Sequence, residues 1–444
     1  MKVLVFFLFL GSVLGQGTVS TPGGSLSYDE DWGYVQVRKN AHTFWWLFTV
    51  KSDTTRPLIL WLQGGPGSDS TGFGNLDELG PKDVNLQDRN YTWLQVGDLV
   101  FVDNPVGAGF SYVDDDSGFT TNVKQIGADL VTWAKAFFTK HPEYQTRDFY
   151  ITCESYGGKM SAEFAKQLQD AIDDGTIKAK LAGVALGDSW ISAMDFVNTW
   201  GPYLHAVSYL DDKQLETVNN KAAKCQKLVD SNNWYDATTC WGEMEDLIGS
   251  LTDNVSWYNI LKAGGTDDWS KKKMLQKNKS SKMSLKRRQF ERHVGGLQSD
   301  QVSDVMNGKM RDKFKIIPAN VRFGAQSGAV FNKQWGDFMT PNYDTVDNLL
   351  NRGIPVTIMN GQLDLICDTL GVELWLKKLT WTGRDQFLNS EKKSYAPSDN
   401  SEVYGFYKKY QNLQMFYVLR AGHMIAHDAP WATLEAVKRM TGKN

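Results

Sequence analysis

The run Ile151-Thr152-Cys153-Glu154-Ser155-Tyr156-Gly157-Gly158 constrains this chain more than any other. It reads as a strand, then a Ser in a tight turn, then glycines, with a helix starting near Lys159. A strained turn of that kind lifts a hydroxyl above a sheet, which is the setting of a nucleophile elbow. The pattern is degenerate, because Cys153 stands where G-x-S-x-G has its first Gly. One such match is weak evidence of covalent hydrolysis. Its weight depends on a base, an orienting acid and an oxyanion hole elsewhere in the chain.

The surrounding pattern supplies a sheet for that turn. Pro57–Leu62, Asp98–Asp103, Phe149–Cys153, Gly183–Leu186, Ile354–Met359 and Met415–Leu419 are short apolar runs of strand length. Asn122–Lys140 carries Ile126, Leu130, Trp133, Ala134 and Phe137 at helical spacing. Lys159–Ile172 and Pro430–Met440 also read as helices. Gly33–Val37 and Thr43–Val50 alternate around Arg38–His42, as a hairpin does. Strands alternating with helices predict an α/β chain with a mostly parallel central sheet and helices on both faces. The stretch from about Trp190 to Thr340 breaks the rhythm: it is helical, polar and rich in Lys. The reading is therefore a core over 16–190 and 341–444, with a helical cap inserted at 191–340. Lys271–Arg288 is strongly basic, and reads as a solvated loop or a processing site.

The first residues are Met1-Lys2, an apolar run Val3–Leu10, and small residues to Gly15. That order predicts a secretory signal peptide over 1–15. The run is too short to span a bilayer, and no other segment reaches spanning length, so no membrane span is expected. Secretory entry gives meaning to the sequons at Asn90, Asn254 and Asn278, and to a disulfide between Cys225 and Cys240. Closing that loop would contribute about 3 kcal/mol. The destination would be secretion or the lysosome. A net charge of −3 offers no global basic field for nucleic acid.

A Ser hydroxyl needs a base. Of six histidines, only His423 and His427 follow a C-terminal strand, and His423, directly after Gly422, is the better base. The pair has i, i+4 spacing without the Glu of H-E-x-x-H, so no metal is expected. Asp364 follows the strand Ile354–Met359 and would hold the imidazole tautomer, with Asp368 as the other candidate acid. Gln63-Gly64-Gly65-Pro66-Gly67 follows Pro57–Leu62 and offers Gly65 as one oxyanion donor beside the Tyr156 N–H.

Trp61–Gly67, Glu78-Leu79-Gly80-Pro81, Asp103–Tyr112, Glu154–Gly158 and Gly422-His423-Met424 occur in the order found in serine carboxypeptidases, and the chain resembles that family over nearly its whole length. The resemblance implies the α/β-hydrolase fold with no cofactor. It implies Ser155 as nucleophile, His423 as base, Asp364 as orienting acid, and Gly65 and Tyr156 as oxyanion donors. It implies that Glu154 and Glu78, with Gln63 and Gly64, recognise the terminal carboxylate of peptide or protein C-termini. Two adjacent carboxyls can share a proton, so the activity would favour acid. Members of the family are often dimers, so a homodimer is also an expectation from the resemblance. Three departures stand out: Gln63 where many members have Asn, Cys153 before Glu154, and Gln362 where many have Asp. Cys367 matches a Cys that lines the site in some members. Two other readings of the same residues are a catalytically silent binding protein of hydrolase fold, and an acyltransferase.

Overall fold

The computed structural model describes residues 15–262, 283–297, 299–396 and 402–443. The expected signal peptide (all but its last residue), Asn278 and residues 271–282 of the basic run lie outside the described residues.

Twelve strands make one sheet among the described residues. They are β1 (Gly15–Thr21), β2 (Gly24–Arg38), β3 (Ala41–Thr49), β4 (Leu58–Leu62), β5 (Asp98–Val102), β6 (Tyr112–Val113), β7 (Asp148–Glu154), β8 (Lys180–Gly187), β9 (Val356–Gly361), β10 (Lys393–Tyr395), β11 (Gly405–Tyr410) and β12 (Leu413–Val418). The order is β1-β2-β3-β5-β4-β7-β8-β9-β12-β11-β10, with β6 on β3. The six central strands, from β5 through β12, are parallel. Antiparallel strands extend the sheet at both ends.

The parallel strands are apolar on both faces because both faces are covered. Leu58, Leu60 and Leu62 of β4 point into one core with Ile126, Leu130 and Trp133. Ile59 and Trp61, between them, point into a second core with Leu76, Leu79 and Val437. Helix α1 (Val123–Lys140) starts where the Asn122 side chain accepts the Gln125 N–H, an N-cap that satisfies one open donor. Helix α2 (Gly157–Asp173) follows β7 directly.

Between β8 and β9 the described chain is helical: α3 (Ala193–Ala206), α4 (Asp212–Asp230), α5 (Trp234–Leu251), then shorter helices to Tyr343–Asn351. The Cys225–Cys240 disulfide joins α4 to α5. The last helix is α6 (Pro430–Thr441). No helix among the described residues is long and apolar enough to cross a membrane.

Candidate active site

Ser155 sits between the end of β7 and the start of α2 with φ at +62°. A non-glycine residue held there is strained, and such strain collects at functional sites. The turn is fixed from outside. Ser155 N–H donates to the Gly187 carbonyl (3.1 Å), and its own carbonyl accepts from Trp190 N–H (2.8 Å). Gly64 lies so close that an added Cβ would stand 2.4 Å from Ser155 Cβ and 2.9 Å from Tyr156 N. Only glycine allows the loop 63–67 to reach the elbow. Glu154 and Tyr156 are buried, while Ser155 keeps some exposure.

Cys153 is buried beneath the turn, its thiol 3.3 Å from the Ala185 carbonyl. Burial pushes that thiol up to about 11, so it stays neutral. Its place in the core explains a compact apolar residue there: Cys153 fills space under the elbow.

His423 follows β12, and its Nδ1 lies 2.8 Å from Asp364 Oδ2, both groups being buried. His423 Nε2 is buried without a partner, and no hydrogen bond joins it to Ser155 among the described residues. The His loop is held by the segment at 258–262. His423 N–H donates to the Tyr258 carbonyl (2.6 Å), and the Tyr258 ring packs 5.1 Å from the imidazole. Asp428 accepts from Gly422 N–H (2.8 Å) and from Asn259 Nδ2 (2.9 Å). An added Cβ on Gly422 would fall 2.0 Å from the Tyr258 carbonyl, so glycine is required there.

Asp368, the other candidate acid, turns away. It accepts from Gly371 N–H (3.0 Å) and Thr199 Oγ1 (2.7 Å) and caps the next helix. His427 Nδ1 faces the Asp77 carbonyl instead of the triad (3.1 Å). Cys367 lies with Asp364 and His423, their donor atoms within 4.8 Å of one another. Its thiol is held well above the usual range, first by burial, then by the charge of Asp364.

Glu78 closes the π-helical segment Ser70–Leu79 and meets Glu154 at the end of β7. Both are buried, at 1% and 2% exposed. Gln63 Nε2 donates to Glu154 Oε1 (2.9 Å), and Gln63 Oε1 accepts from Trp61 Nε1 (2.7 Å). Neither Glu78 oxygen has a donor, nor does Glu154 Oε2. Two carboxylates can only accept, so a bond between them requires a proton on one. Burial, then the charge of Glu154, holds Glu78 well above the carboxylate range. Burial pushes Glu154 up to about 8, against the stabilising bonds from Glu78 and Gln63. At neutral pH the pair holds at least one proton.

Three residues around the site escaped sequence reading: Asp188, Tyr258 and Asp428. Asp188 had a findable signal, because it directly follows a central strand, where α/β sheets place functional groups.

The sequence pattern of the serine carboxypeptidase family matches residues 22–443. The chain is 45% identical over 417 residues to the retinoid-inducible serine carboxypeptidase of Mus musculus, covering 93% of this chain and 91% of that one. It is 39% identical over 427 residues to a serine carboxypeptidase-like protein of Arabidopsis thaliana, covering 93% and 92%. Its structure is similar to that of a prohormone-processing carboxypeptidase from Saccharomyces cerevisiae, with a TM-score of 0.79 at 22% identity, covering 94% and 91% of the two chains. That likeness establishes the α/β-hydrolase fold.

Proposed function

This chain belongs to the serine carboxypeptidase family, and from that premise we propose how its residues release a C-terminal amino acid. Ser155 Oγ attacks the carbonyl carbon of the last peptide bond while His423 Nε2 takes its proton. His423 passes that proton to the leaving amine, and water then repeats the sequence on the acyl-enzyme. Asp364, bonded to Nδ1, fixes the tautomer and stabilises the imidazolium. The N–H groups of Gly65 and Tyr156 bind the oxyanion, worth about 3–4 kcal/mol per donor in such sites.

The observation that carries this reading is the buried Glu78–Glu154 pair beside the strained Ser155. A protonated carboxyl donates to the terminal carboxylate of the substrate. Gln63, which bonds Glu154, and Gly64, which approaches Ser155, complete that subsite. The sign of the pH dependence follows. As pH rises through about 8, Glu154 ionises, the pair loses one of its protons and negative charge faces the substrate carboxylate. Peptide hydrolysis therefore favours acid. Ser155→Ala should lower C-terminal release by about a million-fold with unchanged melting. Retained release would sink the assignment.

The helical segment 191–340 is a cap on a core made from 16–190 and 341–444. In support, β8 and β9 are neighbours although the segment separates them, and its Asp337 reaches the Tyr156 hydroxyl (3.0 Å) and buried Lys159 (3.0 Å). The chain enters the secretory route, for secretion or the lysosome. The disulfide and the exposed Asn90 and Asn254 support this. Mature protein from a secretory host should begin after about residue 15 and shift on glycosidase treatment; an intact N-terminus without a shift would contradict it.

A further inference from the structure

Asp188 occupies the turn that joins the two halves of the site. Its neighbours hold the elbow: Gly187 accepts the Ser155 N–H and Trp190 N–H donates to the Ser155 carbonyl. Its own N–H donates to the Met359 carbonyl (2.8 Å), and its Oδ1 accepts the Gly361 N–H (2.7 Å), at the end of the strand that leads to Asp364. The residue is fully buried, with φ at +38°. Its carboxyl meets the Asp364 carboxyl, yet Asp188 Oδ2 has no donor near it. No Lys or Arg among the described residues pairs with it.

We propose that Asp188 is a positioning residue of the triad: its carboxyl keeps a proton and donates it in a hydrogen bond to the Asp364 carboxylate, holding that carboxylate against His423. Two carboxylates in contact repel, and a carboxyl–carboxylate pair bonds. Gly361 N–H already engages Asp188 Oδ1, which leaves Oδ2 as the oxygen to carry the proton. The ionisable groups that face Asp188 are Asp364 and Glu154, and the Cys367 thiol. All are acidic, and none supplies a counter-charge. Burial first, and then Asp364, push Asp188 well above the carboxylate range. His423 reaches this group only through Asp364. Asp188 therefore touches neither substrate nor nucleophile. It fixes where the acid of the triad points, and loss of its proton at alkaline pH would set two negative charges side by side behind the imidazole.

This inference rests on Asp364 being the triad acid, and its test separates the two. Full-length mature chain is labelled at Ser155 with a fluorophosphonate across pH, a reaction that needs the triad but no substrate carboxylate. Asp188→Ala should slow labelling, and kcat for an ester, by about tenfold to a hundredfold, the effect of losing one hydrogen bond to a charged group. KM should hold. Asp188→Asn keeps an acceptor for Gly361 and supplies an N–H donor that cannot ionise. It should recover most of the loss and keep its rate on the alkaline side, where the wild type falls. If Asp188→Ala does not fold, Asp188→Asn still decides, because its infrared difference spectrum against wild type should lack one protonated carboxyl band. An unchanged alkaline limb with an unchanged carboxyl band overturns the proposal, and so does an Asn variant as slow as the Ala variant. A wild-type chain that does not label at Ser155 would instead overturn the triad reading.

Discussion

Two pairs of buried acids bracket the segment Ser70–Leu79, and they are built in opposite ways. At its start, Asp69 caps the segment by accepting the N–H groups of Gly72 and Phe73 (3.0 and 2.7 Å). Beside it, Asp103 accepts from Ser70 N–H, Thr71 N–H, Thr71 Oγ1 and Phe110 N–H, all within 3.0 Å. At its end, no backbone N–H reaches Glu78 or Glu154; the pair has only the Gln63 amide and each other. Burial raises all four acids. Burial alone therefore does not separate structural from functional acids. Backbone donors mark the difference: a carboxyl saturated by backbone N–H groups holds a loop in place, while on the proposed reading a buried one without them is left for a ligand.

The largest test on the structural side is Asp103→Ala. It strands four buried donors, and should cost about 3–5 kcal/mol in urea unfolding. Asp103→Asn keeps one acceptor oxygen but turns an N–H₂ toward donors, and should cost about 1–3 kcal/mol. On the functional side, Glu78→Gln strands nothing, and should change stability by less than about 1 kcal/mol. A loss as large as that of Asp103→Ala would erase the distinction.

The pH dependence of melting sharpens the comparison further. Asp69 is pushed up to about 8 and Asp103 to about 6, both first by burial, as Glu154 is pushed up to about 8. An acid raised in the folded state stabilises fully below its unfolded pKa, and that stability is lost as pH rises through the folded value. The melting temperature should fall between about pH 4.5 and 8. Glu78→Gln with Glu154→Gln should remove part of that fall and leave the Asp69–Asp103 share. A melting temperature that climbs over the same range would contradict the assignment of protons.

The central sheet was legible because its strands are covered on both faces and so read as apolar runs. The edges were not. Strand β1 is Gly-Gln-Gly-Thr-Val-Ser-Thr, and β10 is Lys-Ser-Tyr. Edge strands face water, so they carry no apolar signature, and lysines there discourage pairing with another chain. The segment 70–79 contains Gly72 and Gly74 and closes i→i+5 bonds, such as Gly80 N–H to the Asn75 carbonyl (2.9 Å). Periodicity of 3.6 residues does not find it, and Glu78 could pass for a solvated loop acid. The triad candidates were legible from strand ends alone, with Asp364 preferred to Asp368 because it lies nearer the strand, and Asp364 Oδ2 lies 2.8 Å from His423 Nδ1 in the fold. Asp188 follows a central strand, a signal the sequence carries, but its meeting with Asp364, far along the chain, is seen only in the fold.

The most direct measurement compares kcat/KM of the wild type and the Glu78→Gln, Glu154→Gln variant on two substrates at mildly acid pH. One is a blocked dipeptide with a free C-terminal carboxylate, and the other an ester without one. The carboxylate-recognition account predicts a loss of about a hundredfold on the peptide, from a hydrogen bond to a charged group, and little loss on the ester. Equal losses on both would contradict it, and would return the Glu78–Glu154 pair to the structural class of Asp69 and Asp103.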